Sequence, residues 1–284
     1  MAIHTNLVNY TFSVINLPSD KGNVNNMLLA VDVGNTQTVV GAYQGDNLVF
    51  HGRFSTNKHH TSDEIWFTLE PLLRSAGITP EALDGVALAS VVPWLTEAWS
   101  KAVREGLGCE AMVCNARAAG NLFPNAYPNP QEIGGDRVAD AVAARLLYGA
   151  PVIVVDFGTA TNIEVVDHEG VFLGGVIAPG MDTAARALFE HATKLGAIEY
   201  ECPPHPIGQS TIEAMQSGIV FGEAERVDGI VRRIFEQLGY ETTVVGTGGW
   251  IGTVGPLSRT ITVMDQNLTL EGLRLIYEAQ AAQE

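Results

Sequence analysis

One pattern occurs twice in this chain. An apolar run, Leu28 to Val31, ends on Asp32. Gly34, Asn35 and Thr36 follow, then a β-rich run from Val39 to Tyr43, a polar turn at Gln44 to Asn47, and a third run from Leu48 to Phe50. A second apolar run, Val152 to Val155, ends on Asp156. Gly158 to Thr161 follow, then a run from Ile163 to Val166, a polar turn at Asp167 to Gly170, and a run from Val171 to Leu173. Each copy reads as a β-meander whose first strand stops at an Asp-x-Gly turn. Two copies of one local plan predict two similar lobes. Helix-period runs fill the gaps at 62–76, 136–148, 211–222, 225–238 and 269–282. Single strands are expected at 85–90, 111–115, 242–245 and 260–263. The lobe boundary falls near Gly149, giving lobes over 27–149 and 150–284.

The 284 residues are 46% hydrophobic, enough to bury a substantial core. The 16 basic against 32 acidic residues give a net charge of −16, which argues against nucleic acid or an anionic membrane as partner. Three cysteines, Cys109, Cys114 and Cys202, form no C-x-x-C pair and suit reduced thiols in a cytoplasm. No apolar run is long enough for a membrane span. His59-His60 reads as a solvated loop. Residues 1–26 lack the features of a signal peptide and read as a poorly ordered extension, with Met27 as the functional start.

The turns carry the chemistry. At Asp32 to Thr36, glycine lets the backbone bend sharply after the strand, so successive N–H groups can converge on phosphate oxygens. Asp32 at the strand end can hold Mg²⁺, directly or through water. Asp156 to Thr161 repeats the arrangement, and Gly246-Thr247-Gly248-Gly249 supplies a third turn where backbone can approach a purine or ribose. Backbone amides suit so acidic a chain, which has few cations to spare for a nucleotide. Gly134-Gly135-Asp136-Arg137 opens a helix. Asp136 reads either as an N-cap or as a base for an attacking hydroxyl, with Arg137 for an anionic end of the same substrate. The four tryptophans, Trp66, Trp94, Trp99 and Trp250, read as core or interface residues.

The set Asp32 to Thr36, Ser90 to Pro93, Tyr127 to Arg137, Asp156 to Thr161, Gly174 to Gly180, Thr247 to Gly249 and Leu268 to Leu273, in that order, resembles the type III pantothenate kinases of the sugar kinase and actin superfamily. The resemblance runs from Met27 to about Tyr277. It implies two ribonuclease H-like lobes of the actin-like ATPase fold with an interlobe nucleotide cleft. It implies ATP-dependent phosphorylation of pantothenate, the first step of coenzyme A biosynthesis, by a cytoplasmic homodimer. Asp136 matches the proton acceptor. Asp32, Val33, Gly34, Asn35, Thr36, Gln37, Thr38 and Val39 match the first phosphate loop, and Thr159 a further ATP contact; Gly248 lies in the third turn. Tyr127, Gly134, Gly135, Arg137 and Thr211 match substrate contacts, and Asp156 matches the ligand of a monovalent cation, K⁺ or NH₄⁺. The chain departs from the pattern at Gly135, where alanine is usual and glycine should loosen the backbone, at Asn162, at Thr193 to Gly196, and at Gln209-Ser210.

Other readings compete. A dinucleotide fold could use Gly246, Gly248 and Gly252 with Asp265, but Pro256 interrupts the stretch that should be its helix. A nucleotide-binding regulator without transfer would have no use for Asp136 and Arg137 together. A kinase of the same fold with another alcohol as acceptor remains consistent with the fold.

Overall fold

The computed structural model describes residues 11–14, 27–191 and 198–282. The remainder of the N-terminal extension and the departure at Thr193 to Gly196 lie outside the described residues. The chain divides into two compact units: Met1–Leu122 with Asn129–Ala139 and Thr269–Glu284, and Phe123–Pro128 with Asp140–Leu268.

The first unit holds strands β1 (Thr11–Val14), β2 (Met27–Val33), β3 (Gln37–Gln44), β4 (Asn47–Ser55), β5 (Leu83–Ser90) and β6 (Ala111–Val113), in sheet order β1-β4-β3-β2-β5-β6. β2, β3 and β4 form an antiparallel meander, β5 pairs parallel with β2, and β6 parallel with β5. Helices α1 (Ser62–Ser75), α2 (Pro93–Leu107) and α3 (Ala116–Ala119) follow the strands, and α4 (Gly135–Tyr148) starts here and continues into the second unit. Side chains alternate along β2: Leu29, Val31 and Val33 pack in a core with Ile65, Leu69, Leu95 and Trp99 of α1 and α2. Leu28 and Ala30 point to the other face and are buried there too. Burial on both faces explains why β2 is apolar without alternation.

The second unit repeats the plan. β7 (Val152–Phe157), β8 (Ala160–Val166) and β9 (Phe172–Pro179) form the meander, and β10 (Thr243–Thr247) pairs parallel with β7. β11 (Val263–Met264) completes the order β11-β10-β7-β8-β9. The helices are α5 (Met181–His191), α6 (Thr211–Gln216), α7 (Gly222–Leu238) and α8 (Ile251–Val254). Ile153, Val155 and Phe157 pack with Val220, Val227, Val231 and Val254. Leaving aside β1, both sheets read third-second-first-fourth-fifth strand, so the duplicated sequence pattern is a duplicated topology. This is the α/β two-unit plan expected from the sequence.

Several elements differ from the sequence expectation. α2 and α5 were not among the expected helices. α2 had its signals, Pro93 in the first turn and the left-handed Gly108 cap, but they lie beside the motif Ser90 to Pro93. The helices expected at 211–222 and 225–238 merge through a π-turn at Ser217–Phe221. The strand expected at 260–263 shrinks to Val263–Met264. The helix α9 (Leu268–Ala281) packs with the first unit: the Cβ position of Gly41 lies 2.9 Å from a Leu270 methyl, and Arg274 bonds Asp46, Glu271 and Glu278. Trp99 is a core residue, whereas Trp94 is 65% exposed. The described residues contain no helix long and apolar enough to cross a membrane.

The loop after α8 hangs on one buried carboxylate. Asp228 of α7 accepts from the Ser258 hydroxyl at 2.5 Å, the Arg259 N–H at 2.8 Å and the Thr260 hydroxyl at 2.8 Å. Burial alone would raise its pKa, but these bonds prevail and hold the carboxyl below the usual aspartate value. We therefore expect Asp228→Ala to cost about 2–4 kcal/mol in urea unfolding at neutral pH. A depressed folded pKa gives stabilisation that is present above the unfolded value and lost as pH falls through the folded one. The gap between wild type and variant should therefore shrink below about pH 4.

Candidate active site

In the first unit, the C-terminal ends of the parallel strands meet at one edge. Asp32 and Val33 end β2, Val91 N–H donates to the Val33 carbonyl at 3.1 Å, and Cys114 N–H donates to the Leu88 carbonyl at 2.8 Å. Gly34 N–H donates to the Gln37 carbonyl at 3.0 Å and closes the turn. A Cβ on Gly34 would stand 2.9 Å from that carbonyl oxygen, so the turn is tight enough to require glycine. Asn35 and Gln37 are exposed, Thr36 is half-buried, and Val39 is half-buried opposite Asp32. The Thr38 hydroxyl is buried and bonds the Thr56 hydroxyl at 2.8 Å, so Thr38 anchors the loop from below.

Helix α4 begins at the same edge. The Cβ position of Gly135 lies 2.5 Å from the Cys114 carbonyl oxygen and 3.5 Å from Cβ of Ala89, the residue paired with Asp32. The Cys114 thiol donates to the Gly135 carbonyl at 3.3 Å. Gly135 is thus a point of close approach, and the looser backbone expected there is not what its surroundings impose. Asp136 sits inside the first turn, where its Oδ1 accepts the Arg137 N–H at 2.9 Å. It is not the N-cap. The Gly134 carbonyl accepts the first helical bond, from Val138. Burial pushes the Asp136 carboxyl above its ordinary value, against the opposing pull of the Arg137 N–H and guanidinium. Arg137 is itself buried.

In the second unit, Asp156 is the penultimate residue of β7, Thr159 follows that strand and Gly248 follows β10, again at the C-terminal strand ends. Gly158 N–H donates to the Ala160 carbonyl at 3.0 Å, and the Thr159 carbonyl accepts from Gly180 N–H and the Thr183 hydroxyl. Gly248 has φ +89°, and a Cβ there would collide with Asp156 Oδ1. Asn162 pairs with Asp156 across β7 and β8. Tyr127 stacks at a tilt 6.2 Å from Phe172 and covers Gly174. Thr211 opens α6 after the Ser210 cap, which accepts from Glu213 N–H, while Gln209 N–H is held by the Glu213 carboxylate. Thr211 lines a cavity of about 690 Å³ with Met181, Leu188, Met215, Ile219 and Arg226. Asp265, the ribose residue of the dinucleotide reading, instead accepts the Tyr148 hydroxyl at 2.8 Å.

The described residues hold no group of three or more His, Cys, Asp or Glu suited to a metal. Asp32 and Asp156 offer hard carboxylate oxygens, and the buried Thr247 hydroxyl has no hydrogen-bond partner. Such oxygens fit Mg²⁺ or an alkali cation whose shell is completed by water and phosphate.

A family model described as type III pantothenate kinase matches residues 28–233, most of the chain. The chain belongs to the type III pantothenate kinase family. Proteins of that name are 42% identical over 252 residues in Moorella thermoacetica, covering 89% of this chain and 99% of the relative. In Brevibacillus brevis the identity is 44% over 252 residues, covering 89% and 98%. Among solved structures, the ethanolamine utilization protein EutJ from Carboxydothermus hydrogenoformans aligns with TM-score 0.52 at 16% identity, covering 93% of this chain and 92% of that one. That likeness is one of fold alone.

Within the pantothenate kinase scaffold, the first unit carries the Asp32 to Val39 loop and Gly134 to Arg137. The second carries Tyr127, Asp156, Thr159, Thr211 and Gly248. Sequence reasoning missed Cys114, whose carbonyl and thiol seat the start of α4, and Thr247, whose hydroxyl is orphaned; only its place directly after an apolar run marked it. Gly134 yields a direct test. A Cβ there would run into Asp136 Oδ1, which would have to leave the Arg137 N–H and swing aside. Gly134→Ala should keep its melting temperature within about 2 °C, yet lose at least tenfold in kcat because the carboxylate is re-aimed. Unchanged kcat would show that the carboxylate's orientation does not matter.

Proposed function

We propose that this chain transfers the γ-phosphoryl group of ATP to the primary hydroxyl of pantothenate, giving 4′-phosphopantothenate, the first step of coenzyme A biosynthesis. The observation that carries this reading is Asp136, a carboxylate made more basic by burial, at the mouth of α4 and on the sheet edge that bears the Asp32 turn.

Asp136 accepts the proton of the attacking hydroxyl and orients its oxygen. Arg137 grips the pantothenate carboxylate, and Tyr127 and Thr211 line the acceptor pocket. The exposed tip of the Asp32 to Val39 loop, around Asn35 and Thr36, takes phosphate oxygens, while Thr159 and Gly248 contact the nucleotide. Phosphoryl transfer passes through a loose transition state, so placing these groups supplies most of the acceleration. Kinases of this kind use ATP with a divalent metal; here Mg²⁺ at Asp32 through water, and K⁺ or NH₄⁺ at Asp156, would offset phosphate charge that this acidic chain leaves uncompensated. We also infer a cytoplasmic homodimer. Cys109, Cys114 and Cys202 are not in disulfides, which suits a reducing compartment. Ile177, Leu188 and Ile212, all exposed on the second unit, suit burial against a second copy.

The deciding experiment is phosphate transfer from ATP to pantothenate against a panel of sugars, with and without K⁺. Turnover of pantothenate alone is expected; transfer to a sugar and none to pantothenate would overturn the reading, and ATP binding without any transfer would favour a regulator. Asp136→Asn should lower kcat by about 10²–10⁴-fold without a change in melting temperature, and near-normal turnover would refute its role. The pH profile has a defined sign. The reaction needs the ionised base, and burial raises its pKa, so kcat/KM should fall on the acid side through a value above the ordinary ~3.9. An acid limb at or below that value would contradict the assignment.

A further inference from the structure

Thr247 is the last residue of β10 and lies abreast of Asp156 on the neighbouring parallel strand. Residues abreast on adjacent strands point to the same face, so the hydroxyl and the carboxylate share one side of the sheet. Thr247 is 1% exposed, and its Oγ1 has no hydrogen-bond partner. A buried hydroxyl without a partner is costly, which points to a partner outside the chain.

The Asp156 carboxylate beside it is closely packed by backbone. Gly248 folds directly over Asp156, where a Cβ would strike Oδ1 and stand 2.6 Å from the Phe157 nitrogen. The Cβ position of Gly158 lies 3.6 and 3.8 Å from the two Asp156 oxygens. Two glycines therefore crowd one carboxylate, whose neighbour on the same face of the sheet is a neutral hydroxyl. One formal negative charge with a neutral oxygen donor matches a monovalent cation better than a divalent one, which gathers more carboxylates.

We propose that Thr247 Oγ1 is a second protein oxygen for the monovalent cation at Asp156. The inference rests on the assignment of that cation to Asp156. It adds Thr247 as a residue that sets how tightly the ion is held.

Thermal melting of the full chain separates the possibilities without relying on turnover. Each protein is melted in KCl and in choline chloride at equal ionic strength, with and without a non-hydrolysable ATP analogue. Wild type should melt about 2–4 °C higher in KCl. Thr247→Val keeps the shape without the oxygen and should lose that rise, while Thr247→Ser should retain it. Thr247→Ala provides the same comparison if the valine variant folds poorly. An undiminished rise in the valine and alanine variants would overturn the role of Thr247 and leave the cation at Asp156 intact; a bound water at the hydroxyl gives this outcome. No rise in wild type under either nucleotide condition would remove the cation from Asp156, and this inference with it.

Discussion

In each unit, the strand that opens the meander also pairs parallel with a later strand: β2 with β5, and β7 with β10. That pairing fixes everything at the functional edge. It places the turn after the opening strand beside the turn after its parallel neighbour, so Val33 is bonded by Val91, and Asp156 lies by Gly248. A slip of one residue would turn every side chain of the strand to the opposite face. β2 is buried on both faces: α1 and α2 cover one, and α9 meets its neighbours β3 and β5 on the other, which holds the register.

The edge answers the difficulty of an acidic chain that handles a polyanion. Few cationic side chains are committed there. Glycine-bearing turns shape it instead, and the Asp136 and Asp228 carboxylates are each set by local contacts. Asp136 shows the balance. The helix start and Arg137 favour the charged form, burial disfavours it, and burial prevails. A carboxylate poised in this way is a stronger proton acceptor than one in water. Asp228, surrounded by donors, goes the other way and serves the fold.

Much of this was legible in the sequence because it is local. The apolar runs ending on Asp32 and Asp156 named the strands, the glycines named the turns, and the period from Asp136 to Tyr148 named α4. Less was legible where tertiary contacts decide. Whether Asp136 is a cap or a base depends on which carbonyl accepts the first helical bond, and the structure gives that role to Gly134. The closeness of Gly135 depends on Cys114, which arrives from another strand. Thr247 reads as one more polar residue in a glycine turn until its burial is known. The π-turn at Ser217–Phe221 makes one continuous run of the helices expected at 211–222 and 225–238.

The allegiance of α9 has a consequence for biosynthesis. Its buried Arg274 bonds three carboxylates, its Tyr277 lies against Gly85, and Gly272 admits the helix against Ala139, all in the first unit. Yet Thr269–Glu284 follows the whole of the second unit in the chain. The turn at Asp32 is translated well before α9, but the core beneath it stays open on one face until α9 emerges. The second unit, whose segments all precede α9, can close while the first is still waiting. Vectorial synthesis thus orders assembly against the direction of the chain, with the earlier half finishing last.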